Sequence, residues 1–200
     1  MKGSHKLKGV LKPKQTMIET IKIGIFGGGG TGKTALTLIY VKGEFTEGYV
    51  PTIEDSFSKQ ILIEGRTINL ELIRTKGQDD FKEMRFRYYQ SSDCFVIVYS
   101  VIDKSSLESA IEIYHDICSS RGSEHEICIF AGNKADLKSE DSITLSEAQK
   151  VANELHCSVM EVSAKTAYNV SELFETLVKE YLGLGTTSKQ QNNNGCCQIL

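Results

Sequence analysis

Eight residues carry the first chemistry in this chain: Gly27, Gly28, Gly29, Gly30, Thr31, Gly32, Lys33 and Thr34 read GGGGTGKT. Within them Gly27, Gly32, Lys33 and Thr34 complete the pattern G-x-x-x-x-G-K-[ST], which has meaning only between a strand and a helix. The glycines let the backbone take positive φ angles, so successive N–H groups can converge on one concavity. A following helix adds its unpaired N–H groups and the positive end of its dipole, and a polyphosphate suits that pocket. Lys33 can reach the terminal phosphates as a point charge, and the Thr34 hydroxyl can bind Mg²⁺.

A second group reads Asn133-Lys134-Ala135-Asp136. An ionised carboxylate only accepts hydrogen bonds, so Asp136 suits a base edge with two adjacent donors. Guanine offers a ring N–H beside an exocyclic amino group, and adenine does not. Leaving such a pair unmatched in a buried site costs roughly 1–3 kcal/mol per group, enough to select GTP or GDP over ATP. An ATP-dependent nucleotide kinase would share the phosphate loop, and this second motif argues against it.

The elements that must hold these groups follow from patterning. Residues 20–26 read as a strand, and Ala35 to about Lys42 as a helix, which places the Gly-rich loop between them. Residues 54–63 and 66–73 read as a hairpin about Glu64-Gly65, with a loop over 74–80 and a helix over 81–91. Cys94–Ser100 is a continuous apolar run, as expected of a strand buried on both faces. Asp103 can cap a helix over 104–119, and residues 127–131 form another buried strand. Thr144 and Glu147 form a capping box for a helix to Leu155; a last strand spans 158–162, and Asn169 or Ser171 opens the last helix. This alternation implies an α/β fold with a mostly parallel sheet, whose ligands bind beyond the carboxyl ends of the strands.

The totals fit one domain, over residues 17–182, with tails at 1–16 and 183–200. The formal net charge of −3 gives no reason to expect nucleic acid as a partner. No apolar run reaches the roughly 18 residues of a membrane span, and the first residues have neither a secretory signal nor a myristoylation motif. Cys94, Cys118, Cys128 and Cys157 lack metal-ligand spacing and read as reduced, buried thiols. Residues 1–16 carry five lysines and read as a disordered basic arm, either a plain solvated tail or a weak attraction to anionic lipid. The chain ends Cys197-Gln-Ile-Leu200, a C-a-a-X sequence whose terminal Leu directs geranylgeranylation of Cys197. Cys196 beside it is a palmitoylation candidate, since stable anchoring takes two signals.

Taken together the motifs resemble the Ras family of small GTPases, across about 17–182. The Gly27–Thr34 loop, Asn133–Asp136 and Ser163-Ala164-Lys165 match in order and spacing. So does Tyr49-Val50-Pro51-Thr52-Ile53-Glu54-Asp55-Ser56-Phe57, which is similar to the effector-binding segment of Ras and Rap proteins. The resemblance implies a P-loop NTPase fold with a six-stranded sheet, one hairpin strand antiparallel, and five helices. It implies that Lys134 belongs to the base site, that Phe45 packs against guanine and that Ala164 gives a backbone N–H to its carbonyl. It also implies that Thr52 binds Mg²⁺ and that Gly77 contacts the γ-phosphate. Gln78 would orient the attacking water, as the matching glutamine does in Ras. Effectors, an exchange factor and an activating protein would be its partners, and it would work as a monomer on the cytoplasmic face of a membrane, the plasma membrane being expected.

One segment departs from the family. Where the pattern has Asp-x-Ala-Gly-Gln, this chain has Arg74-Thr75-Lys76-Gly77-Gln78. The Asp helps to hold Mg²⁺. A guanidinium about 5 Å from a divalent ion, at an effective dielectric of ~20, is repelled by on the order of 5 kcal/mol. Two readings stand open: Arg74 turns away and water replaces the Asp, or Mg²⁺ coordination is weakened. The second predicts slow hydrolysis and magnesium-insensitive exchange, or a nucleotide-bound scaffold with little GTPase activity. Lys76 either reaches the γ-phosphate or faces solvent.

Overall fold

Strand Cys94–Ser100 shows why the chain folds as a covered sheet. Every one of its residues is buried, and alternate side chains enter two different cores. Cys94, Val96 and Val98 pack with Leu36, Tyr40, Phe174 and Leu177, whereas Phe95, Ile97 and Tyr99 pack with Tyr89, Ala110, Tyr114 and Ala148. A period of two with apolar residues in both phases leaves no face for water, so helices must cover both sides.

The computed structural model describes residues 18–43, 45, 56–74 and 82–184, with the side chains of 82–84 left out. The strands are β1 (Glu19–Phe26), β2 (Ser56–Ile63), β3 (Arg66–Arg74), β4 (Cys94–Ser100), β5 (Cys128–Asn133) and β6 (Ser158–Glu161). The helices are α1 (Lys33–Lys42), α2 (Lys82–Ser91), α3 (Lys104–Arg121), α4 (Leu145–Glu154) and α5 (Val170–Tyr181). The sheet has six strands in the order β2-β3-β1-β4-β5-β6. Only the β2–β3 pair is antiparallel; the other pairings are parallel. α1 and α5 supply one core and α2, α3 and α4 the other. The predicted P-loop α/β architecture is therefore present. The hairpin turn falls at Glu64 and Gly65, both with positive φ (47° and 77°), as a tight hairpin requires.

Most boundaries shift by a residue or two from the sequence reading, and three places show the physical cause. β5 starts at Cys128 rather than 127 and runs on to Asn133, because Ser100 of β4 pairs opposite Asn133 and draws Gly132 and Asn133 into the sheet. α3 continues to Arg121, where Gly122 in the left-handed conformation closes it by donating to the Cys118 and Ser119 carbonyls. Arg121 is held there by Glu126, 2.7 Å from its Nε, and by donation to the Tyr89 and Ser92 carbonyls at 2.8 and 2.9 Å. α5 starts after Asn169, but the Asn169 side chain does not cap it; its amide donates to the Glu161 carbonyl at 3.0 Å. The capping box of α4 is present, with Thr144 N–H donating to Glu147 at 2.7 Å and Glu147 N–H to Thr144 Oγ1 at 3.2 Å.

Candidate nucleotide site

The Gly27–Thr34 loop leaves β1 at its carboxyl end and enters α1 at Lys33. Two glycines are obligatory there. Gly27 has φ 145°, and a Cβ on it would lie 2.2 Å from the Val98 carbonyl oxygen. Gly32 has φ 91°, and a Cβ would lie 2.3 Å from Asn133 Nδ2. At these two positions the loop passes so close to β4 and β5 that no other side chain fits. Lys33 is buried at 7% exposure, with Nζ donating to the Gly27 and Gly28 carbonyls at 2.9 and 2.8 Å. That pose holds the ammonium over the loop. Thr31 Oγ1 closes the turn onto the Gly28 carbonyl at 3.0 Å.

Asn133 ties this loop to the base-binding end. Its Nδ2 donates to the Thr31 carbonyl at 2.9 Å, and its Oδ1 accepts from the Ala164 N–H at 3.1 Å. Asn133 is 2% exposed, and Thr31 and Ala164 are 1% and 3% exposed. Both bonds are therefore sheltered from water. Ser163 Oγ donates to Asp136 Oδ1 at 2.6 Å and accepts from the Thr166 N–H at 3.1 Å. Asp136 thus keeps a fixed orientation with its second oxygen available, in a short 3₁₀ turn (Ala135–Leu137) that Lys134 enters at φ 65°.

These groups surround a cavity of about 250 Å³ lined by Gly32, Ala35, Phe45, Asn133, Lys134, Asp136, Leu137, Ala164 and Lys165. A broader depression of about 480 Å³ over the outer face of α4, lined by Leu145, Ser146, Gln149, Lys150 and Asn153, has none of this chemistry. Seven of the nine lining residues are ones the sequence pointed to. Ala35 and Leu137 were missed. Leu137 is an apolar residue between Asp136 and Lys138, and that was the available signal. No sequence signal joins Thr31, Asn133 and Ala164.

The purine-sized cavity, an acceptor-only carboxylate in it and the N–H-rich loop beside it fit a guanine nucleotide. The fit fails for a divalent ion at Thr34. β3 pairs with β1 so that Arg74 stands opposite Ile25. Arg74 does not turn away: it is 4% exposed and its Nη1 donates to Thr34 Oγ1, the hydroxyl expected to ligate the metal. Among the described residues no cluster of three His, Cys, Asp or Glu side chains could hold a metal ion.

Of the segment read as effector-binding, Ser56 is exposed and Phe57 is buried in the core, so Phe57 anchors β2 and a partner would meet Ser56. Tyr49, Val50, Pro51, Thr52, Ile53, Glu54 and Asp55 lie outside the described residues, as do Lys76, Gly77, Gln78, Cys196, Cys197 and the 1–16 arm. Cys94, Cys118 and Cys128 are buried thiols and Cys157 is half-buried, all four unpaired.

Comparison with known proteins agrees with this geometry. The Ras family model matches residues 22–183. The chain is 37% identical over 158 residues to Ras-like protein RAS2 of Hydra vulgaris, covering 79% of this chain and 82% of that protein. It is 34% identical over 169 residues to Ras-like protein 1 of Saccharomyces cerevisiae, covering 84% of this chain but 55% of the yeast protein. With the family match running from within β1 through α5 and covering both ends of the site, this chain belongs to the Ras family of small GTPases.

Proposed function

We propose that this protein is a lipid-anchored switch that binds GDP and GTP in the cavity between α1 and the loops that follow β5 and β6. The observation that carries the reading is the Asp136 carboxylate, held by Ser163 at 2.6 Å on the wall of that cavity. Guanine presents two donors to that carboxylate, and Phe45, Leu137 and Ala164 line the same cavity. The phosphates occupy the Gly27–Thr34 loop, where backbone N–H groups and Lys33 offset their charge. A bound γ-phosphate is sensed through Thr52 and Gly77, and its loss on hydrolysis breaks both contacts. Residues 49–56 then meet an effector of Ras type, while an exchange factor and an activating protein set the nucleotide state.

In hydrolysis a water oxygen bonds to the γ-phosphorus as the bond to the β–γ bridging oxygen breaks, giving GDP and phosphate. Gln78 orients that water. The rate is slow, because Arg74 stands where the family supplies a carboxylate. A second reading, a nucleotide-bound scaffold with little or no hydrolysis, is favoured by the same arginine and by Lys76. Geranylgeranyl on Cys197, with Cys196 or the basic arm as second signal, places the protein on the cytoplasmic face of a membrane.

Competition of GTP and ATP against a fluorescent guanine nucleotide tests the core of this reading. GTP is expected to displace the probe and ATP to leave it, and equal displacement would refute it. Single-turnover hydrolysis on the purified chain separates the slow GTPase from the scaffold.

A further inference from the structure

We propose that the Arg74 guanidinium takes the place of the divalent cation at this edge of the site, so that the protein retains guanine nucleotide without Mg²⁺. The inference rests on the nucleotide-binding reading above and adds what holds the phosphates.

The position of Arg74 is set by the sheet. The parallel β1–β3 register puts it opposite Ile25, two residues before Gly27, so its side chain leaves β3 at the foot of the phosphate loop. From there it crosses to the first turn of α1 and donates to Thr34 Oγ1. The side chain is inside the protein, at 4% exposure, rather than lying on the surface.

The chemistry then excludes two cations at one place. A guanidinium stays protonated at any physiological pH. A divalent ion ligated by Thr34 Oγ1 would need one of that oxygen's lone pairs while a fixed positive group sits within hydrogen-bond distance of the same atom. Burial makes that repulsion stronger than it would be in water. Aqueous Mg²⁺ gives up its waters reluctantly and binds mainly through one or two carboxylates plus phosphate oxygens. Here the carboxylate expected from β3 has become the competing charge. The guanidinium is also suited to the substitution, because its planar fork of N–H donors matches phosphate oxygens. Polyphosphate in the loop supplies countercharge to Arg74 as it does to Lys33. One positive charge from β3 therefore does electrostatically what an ion would do, but it is covalently fixed and cannot be chelated.

The test uses the full chain loaded with a fluorescent GDP analogue, whose release into excess unlabelled GDP is followed with Mg²⁺ present and again with EDTA. For the wild type the two rates are expected to agree within about twofold, and Arg74→Asp is expected to release about tenfold faster in EDTA than in Mg²⁺, a change of about 1.4 kcal/mol. Arg74→Gln, which removes the charge and offers no carboxylate, is expected to release faster than wild type in both buffers. It also keeps the test decisive if the aspartate variant does not fold. Mn²⁺ titration followed by electron paramagnetic resonance gives a second readout, with tighter binding expected for GDP-loaded Arg74→Asp than for wild type. Tenfold faster release of wild-type nucleotide in EDTA overturns the inference, and so does Arg74→Gln releasing at the wild-type rate. If the wild-type chain takes up no guanine nucleotide in either buffer, the nucleotide-binding reading itself falls.

Discussion

Replacing Asn133 with Ala should loosen both ends of the nucleotide site at once, and the size of the effect follows from its surroundings. Asn133 makes two side-chain hydrogen bonds, to the Thr31 carbonyl at 2.9 Å and from the Ala164 N–H at 3.1 Å. Each is worth about 1 kcal/mol net, and truncation also orphans groups on residues only 1% and 3% exposed. An unsatisfied buried donor costs about 1–3 kcal/mol, so a total of roughly 3 kcal/mol is expected. For a domain of this size 1 kcal/mol moves Tm by about 2–4 °C, so the shift should be ~6–12 °C downward. Differential scanning fluorimetry of GDP-loaded protein, at fixed GDP because bound ligand adds its own stabilisation, is the assay. Asn133→Asp is the informative partner variant. A carboxylate still accepts from Ala164 N–H but cannot donate to the Thr31 carbonyl, and it sets two acceptors face to face. It should therefore also lose stability despite its equal size. A Tm change under about 2 °C for Asn133→Ala would refute the reasoning, since by the same conversion it leaves less than about 1 kcal/mol for the two bonds together.

Asp136→Asn should weaken GDP binding by about tenfold or more, because an amide has one acceptor oxygen where the carboxylate has two, one of them already held by Ser163; competition against a fluorescent nucleotide measures it. Thr144→Ala removes the bonds that Thr144 Oγ1 makes with Glu147, keeping the one from the Thr144 N–H, and should lower stability by about 1 kcal/mol, read as a lower urea midpoint with an unchanged slope. Cys197→Ser should leave the protein in the soluble fraction of a cell lysate; continued membrane retention would show that geranylgeranylation is not the anchor.

Much of this was legible because single residues announce it. The apolar run Cys94–Ser100 could only be a strand covered on both faces, and Thr144 with Glu147 could only sensibly open a helix. Glu64-Gly65 fixed the hairpin and therefore the register that pairs Ser56 with Ile73. The boundaries that escaped were set by partners distant in sequence. β5 runs through Gly132 and Asn133 because β4 offers Tyr99 and Ser100 as neighbours, and nothing local to a glycine and an asparagine says so. In the site, the types of Asp136, Lys33 and the glycines revealed their chemistry. The Asn133 bridge did not show, because an asparagine in a loop motif carries no sign of which two backbone groups it will join.

Arg74 lies between these cases. Its identity told that a cation had replaced a carboxylate, but not whether the side chain would enter the site or leave it. The sheet decides. With Ile25 fixed opposite Arg74, the Cα of residue 74 is placed beside the phosphate loop whatever its side chain. With Thr34 in the first turn of α1, a long donor at that place reaches the hydroxyl. An aspartate delivered by the same backbone would face the same hydroxyl with the opposite charge. The metal edge is therefore governed by one side chain on a strand end, whereas the base edge is built from Asn133, Asp136, Ser163 and Ala164. A change of cation dependence through Arg74 alone is thus compatible with an unaltered preference for guanine, and nucleotide selectivity measured on Arg74→Asp should equal that of the wild type. Altered selectivity in that variant would mean that the two edges are mechanically coupled through the Gly27–Thr34 loop.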